Sequence, residues 1–308
     1  MSAIRFILLA LLVISPAHAC ININGTSLDG KSTFVMGKAP KDDILKAMEG
    51  HSMDTMNRAI NESFGKNDDQ ELEGVIEILE ENYEGAIAIF NQIEAESPGR
   101  YSTASNMGTA YELLGNNELA LEWIEKGIRR NPESHQGTEW LHLAILKVKI
   151  RLAQDPTYLE KHHIIELPDD ISPDSQIKVD GEQHSAINVG RALHYQLTER
   201  ATFVKPKDPV MADLLFTYGV LEPHLGVVEN GIGLLDLARI YGYPHRDELE
   251  QQKARYEELV FMRKAKSAAF IGLGVIAFIG FLIFAYRRRW FFLSAAAHRQ
   301  HQLTKAHA

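Results

Sequence analysis

The chain has 308 residues, 45% of them hydrophobic and 24% charged, a formal net charge of −9 and one cysteine. Those figures describe an ordinary protein with room for a core, and the lone Cys20 excludes an internal disulfide, so the fold stands on packing. Between a basic start and a basic end, the part after residue 19 and before residue 287 holds 26 Lys and Arg against 41 Asp and Glu, a net charge of −15, which argues against nucleic acid or anionic lipid as its partner and for a protein.

Residues 1–19 read as a secretory signal: Arg5, an apolar run from Phe6 to Ile14, Pro16, and Ala17-His18-Ala19 as a cleavage site. Cys20 then begins the mature chain, either after ordinary peptidase cleavage or as a lipid-bearing residue. Residues 20–66 form an N-terminal segment. Ile21 and Ile23 alternate with Asn22 and Asn24, and Asp29-Gly30 punctuates before Ser32 to Met36, so this stretch is expected to be extended. Short helices are expected over 41–48 and 53–64, the second with an apolar stripe of Met56, Ala59, Ile60 and Phe64.

Residues 67–134 hold two copies of a 34-residue pattern. Gly108, Tyr111, Gly115, Ala120, Ile124, Gly127 and Pro132 mark the second, and Gly74, Ala86, Phe90, Ile93 and Pro98 the first. Small residues let two helices approach, bulky ones fill the groove beside them, and Pro ends the second helix. The pattern resembles the tetratricopeptide repeat family. The resemblance implies a mostly α fold, an α-solenoid of helical hairpins that cannot bury its own apolar face and therefore stacks and presents a surface. It also implies that the first helix of each hairpin lines a concave groove, which places Ser102, Ser105, Asn106, Thr109 and Glu112 there as partner-binding residues. Some members hold a partner's terminal carboxylate with Lys and Arg, and these five positions carry neither. Trp140, Leu143 and Ala144 reopen the signature, but Pro156 follows, so 138–153 is expected to be a solvating helix that closes the repeats at 67–155.

In the segment 156–245, Ile164–Leu167 and Gln176–Val179 are expected to pair as a small inserted β-hairpin, with Asp180-Gly181 ending the second strand. Helical pattern returns from Ile187, breaks at Pro206 and Pro209, and resumes over 210–221 and 225–242. Gly219, Gly231, Leu235, Ala238 and Pro244 keep nearly the repeat's intervals, an echo of a degenerate copy. Residues 246–266 lack Pro and Gly and are expected to run as one juxtamembrane helix into the span 267–286, twenty residues without a charge, about 30 Å long and enough to cross a bilayer. Arg287, Arg288 and Arg289 with Trp290, Phe291 and Phe292 open a basic tail at 287–308. With the signal at the front, the domain is expected outside and the tail in the cytoplasm, at a bacterial inner membrane.

Chemistry is sparse. Glu139-x-x-His142 and Glu160-x-x-His163 each put a carboxylate and an imidazole on one helical face, a step used by di-metal bundles, but no further ligands are nominated. His184, His194, His224 and His245 stand singly, and no nucleophile elbow, phosphate loop or zinc-protease motif occurs. The expectation is a non-enzymatic scaffold with no catalytic residue, metal or cofactor, docking other envelope proteins or peptides. The alternative is an extracytoplasmic enzyme or metal-binding sensor with its site around 156–245.

Overall fold

The computed structural model describes residues 22–36, 38–49, 69–287 and 299–300. The signal segment, Cys20, the helix expected at 53–64 and nearly all of the basic tail lie outside the described residues. The rest is mostly helical, with two small antiparallel hairpins and one long apolar helix at the C-terminal end.

Strands β1 (Asn22–Thr26) and β2 (Ser32–Met36) pair across a five-residue turn, Thr26 opposite Ser32, as the alternation and Asp29-Gly30 led one to expect. Helix α1 (Pro40–Met48) follows, with Pro40 in its first turn where a missing N–H costs nothing. Helices α2 (Asp69–Leu79), α3 (Tyr83–Glu96), α4 (Tyr101–Leu113) and α5 (Asn117–Arg130) are two hairpins built alike. Asn82 and Asn116 cap the second helix of each, accepting from the N–H of Gly85 at 3.3 Å and of Leu119 at 3.2 Å. The residue before each cap, Glu81 at φ 62° and Gly115 at φ 88°, makes the left-handed turn between the helices.

The two seams are alike as well. A Cβ placed on Gly74 would stand 2.5 Å from Phe90, and one on Gly108 2.5 Å from Ile124, sixteen residues along in both cases. Side-chain bulk on one helix fills the space that its partner's glycine leaves.

Helix α6 (Glu139–Gln154) departs from the reading of a solvating end. Leu143 and Leu146 pack toward α5, while Leu141, Ala144, Ile145 and Val148 belong to a second, larger core. It is sandwiched, because chain that returns after Pro156 covers the face expected to meet water. The inserted hairpin is also placed differently from expectation. Strands β3 (Gln176–Val179) and β4 (Glu182–Ser185) pair around Asp180-Gly181, which is the hairpin's turn and not its end. Both turn residues have positive φ, 49° and 94°, the geometry whose twist matches paired strands. Ile164 and Ile165 form no strand. They are buried as core-filling loop, the Ile164 N–H held by Asp213 at 2.9 Å.

Helix α7 (Ala186–Phe203), capped by Ser185, leads into α8 (Pro209–Leu225), capped by Asp208 with Pro209 behind it. Helices α8 and α9 (Val228–Tyr241) form a third close hairpin. Its seam repeats the sixteen-residue step, since a Cβ on Gly219 would stand 2.9 Å from Leu235. The echo at 212–245 is thus a hairpin of the same make, surrounded by α1, α7 and α10.

Helix α10 (Arg246–Arg287) is continuous for 42 residues, about 63 Å at the α-helical rise. Its first half packs on the domain through Leu249, Tyr256 and Val260, and Arg263 joins Glu229 at 3.4 Å. Glu229 in turn accepts from the Thr26 N–H at 2.7 Å and its hydroxyl at 2.9 Å, docking the first hairpin beside the helix. Beyond Lys266 its large apolar side chains are exposed, Phe270 by 80%. By length and composition, with a mean hydropathy of 2.6 in its apolar window, this helix is able to cross a membrane.

Candidate functional site

The inner side of the repeat stack meets α7. Helices α4, α6 and α7 enclose a small cleft of about 90 Å³ whose walls include Thr109, Glu112, His135, Glu139, Tyr195 and Phe203. Phe203 also packs against the core of the two repeat hairpins, so α7 bridges that core and the larger one.

Behind the cleft lies a buried ionic cluster. Arg200 donates to both oxygens of Glu112, at 2.5 and 3.2 Å, and Lys149 donates to the same carboxylate at 2.9 Å. His142 donates from Nε2 to Glu112 at 2.8 Å and from Nδ1 to Glu139 at 3.1 Å. An ionised carboxylate only accepts, so two carboxylates on one ring require both nitrogens to carry protons, and His142 is an imidazolium. His135, stacked on Tyr195 at 5.6 Å, makes a further short contact to Glu139.

Burial alone would raise the Glu112 carboxyl. The Arg200 guanidinium, His142 and Lys149 outweigh it and hold the group well below the usual carboxylate range. Burial and Arg200 both work against charge on His142, yet its two carboxylate hydrogen bonds raise it above its ordinary value. Glu139 is likewise lowered against its burial by hydrogen bonds from His135 and His142. Each charge is met, which is what keeps a buried cluster from destabilising its surroundings.

Of the five residues expected in the groove, Thr109 and Glu112 line this cleft. Ser102 and Asn106 are half-buried on α4 outside it. Ser105 faces elsewhere: it is 4% exposed, and a Cβ on Gly127 would stand 3.2 Å from its hydroxyl, so it lies in the seam with α5. Glu112 is committed internally, its partners coming from α6 and α7. The cations that the groove positions themselves lack are present as Lys149 and Arg200, already taken by the chain's own carboxylate. Arg200 lies 88 residues from Glu112, and no local spacing rule reaches that far. His142 did carry a signal, the Glu139-x-x-His142 step, but the step is spent on an ion pair. In the other step, His163 bonds Asp213 at 2.6 Å. Among the described residues, no three His, Cys, Asp or Glu side chains stand together as a metal site.

No family model matches this chain, and no curated protein matches it. Among solved structures it is similar to one titled "Crystal structure of MamA", at 14% identity and a TM-score of 0.28, over 64% of this chain and 96% of that one. At that TM-score the likeness adds nothing to the fold, which rests on the seams and caps described above.

Proposed function

We infer that the protein is a membrane-anchored scaffold: a periplasmic helical-repeat domain, held at a bacterial inner membrane by the apolar half of α10, that docks other envelope proteins or peptides and performs no catalysis of its own. The observation that carries this reading is the seam repeated in consecutive hairpins, Gly74 on Phe90 and Gly108 on Ile124. Such units stack to expose one continuous face, and contact surfaces are what stacked hairpins provide. Ser102, Asn106 and Thr109 share one face of α4 at helical spacing and are only half-buried, so they offer polar contacts beside the closed ionic cluster. The unbroken α10 would hold that face at a set height above the bilayer.

Photocrosslinkers placed at Ser102, Asn106 and Thr109 of the full-length protein in intact cell envelopes test this. Recovery of one partner from these positions, and not from the exposed Glu122 on α5, is the expected result. Recovery of none from any of the three sinks the docking face. Protease added to spheroplasts should cut the domain and spare the C-terminal tail; protection of the domain overturns the topology.

A further inference from the structure

A second cavity, of about 420 Å³, lies between α1, α7, α8 and the start of α9, apart from the ionic cluster. That volume is in the range of small-molecule sites. Its wall carries a buried acid, Glu222, which is 9% exposed and accepts a hydrogen bond from Asn230 at 2.7 Å, with no Lys or Arg paired to it among the described residues. One helical turn earlier on α8, Tyr218 is 4% exposed and lines the same cavity. Gly226 keeps the carboxyl free, since a Cβ there would stand 2.5 Å from Glu222 Oε1. Asp43 of α1 closes the side, 3.5 Å from His194.

The opening has the opposite charge. Lys38 and Arg191 line it with exposed side chains, and Arg191 bonds to the Asn188 side chain at 3.1 Å. The cavity is therefore an anion-lined floor beneath a cationic mouth. Burial pushes the Glu222 carboxyl up from its ordinary value against the bond from Asn230, the behaviour of an acid that lacks a cation. A bare amine would satisfy the floor and be repelled at the mouth; a bare carboxylate would do the reverse.

We propose that this cavity binds a small zwitterion, its primary ammonium seated against Glu222 and Tyr218 and its carboxylate turned outward to Arg191 and Lys38. A free amino acid and a dipeptide share this chemistry and differ in the distance between the two charges. The site is independent of the docking face, and it would make the scaffold responsive to a solute.

Isothermal titration calorimetry of the full-length protein in detergent micelles tests the proposal, with L-leucine, L-alanyl-L-alanine, n-butylamine and butyrate as probes. The expected result is saturable binding of at least one zwitterion, at least ten-fold tighter than either singly charged compound. Which zwitterion binds identifies the source. Glu222→Gln should weaken it about ten-fold or more, as loss of a charge-assisted bond does, and Arg191→Gln, a change on the surface, should weaken it without altering the melting temperature. No heat from either zwitterion at 20 mM (binding weaker than roughly 2.3 kcal/mol at that scale), equal binding of n-butylamine, or unchanged affinity in both variants overturns it.

Discussion

The hairpin α4–α5 and the hairpin α8–α9 share one seam and lead different lives. In both, a glycine on the first helix meets a large side chain sixteen residues later. Helix α5, however, is strongly amphipathic, buried at Ala120, Ile124 and Gly127 and polar on its outer face. Helix α8 is buried from Val210 to Gly219 without interruption. The first is a helical hairpin with a wet side. The second is the same unit turned into the centre of a globular end, wrapped by α1, α7 and α10. A packing rule at a seam therefore sets how two helices meet, and the residues around the remaining circumference decide whether the pair becomes a surface or a core.

The ion pair between Glu112 and Arg200 ties the two regions together beside the apolar contact of Phe203, and Arg200→Met should give the largest effect. It leaves a buried carboxylate with Lys149 and His142 alone, at a cost of about 3–5 kcal/mol. Loss of a single thermal transition, with hydrogen exchange rising first in α2–α5, would show that the repeats lean on α7. An unchanged melt would mean that the Arg200 pair does not hold the two regions together.

Next comes the small position of the seam. A Cβ on Gly231 would stand 2.7 Å from the backbone oxygen of Gly219, whereas the matching place in the repeat already holds Ala120. Gly231→Ala should therefore cost about 1–3 kcal/mol as overpacking. Ala120→Gly should cost about 1 kcal/mol, the ordinary helix penalty for glycine. Ala120→Leu would overpack the repeat seam in the same way as Gly231→Ala does the other. Urea denaturation of the three variants ranks them, and equal behaviour of Gly231→Ala and Ala120→Gly would erase the distinction between the seams.

A pH series separates the regions by a smaller amount. His142 is raised in the folded protein by Glu112 and Glu139, against burial and Arg200, so its stabilisation is complete below about pH 6.5 and is lost as pH climbs through the raised value. Glu112 and Glu139 are depressed, so theirs is present above about pH 4.5 and is lost as acid approaches their lowered values. His163 is also raised, chiefly by its hydrogen bond to Asp213, and falls in the same alkaline direction. Melting temperature should fall on going from pH 6.5 to 9, and His142→Gln should flatten part of that slope, with His163 acting in the same direction and the lowered His184 and His194 against it. A slope identical to the parent's would remove His142 from the account.

The smallest change is a gain. Glu81 stands at φ 62° where the second repeat has Gly115, and Glu81→Gly relieves a left-handed side chain. It should stabilise the first hairpin by about 1 kcal/mol or less, read as a small rise in the denaturation midpoint.

The periodic and local features were legible in the residues themselves: the repeat spacing from Gly74 to Pro132, the helices on either side of Pro206 and Pro209, and the uncharged run that makes half of α10 apolar. Each is a short-range pattern whose physics is contained in one or two elements. The hairpin at Asp180-Gly181 is also present as a turn signal, yet the pattern does not point to its partner strand, because two buried isoleucines at 164 and 165 read equally well as strand or as core loop. Tertiary structure alone decided that α6 is covered on both faces, that Ser105 turns into a seam, and that Glu112 meets Arg200. Burial of a helix face depends on what chain returns to cover it, and a charge pair across 88 residues leaves no periodic trace.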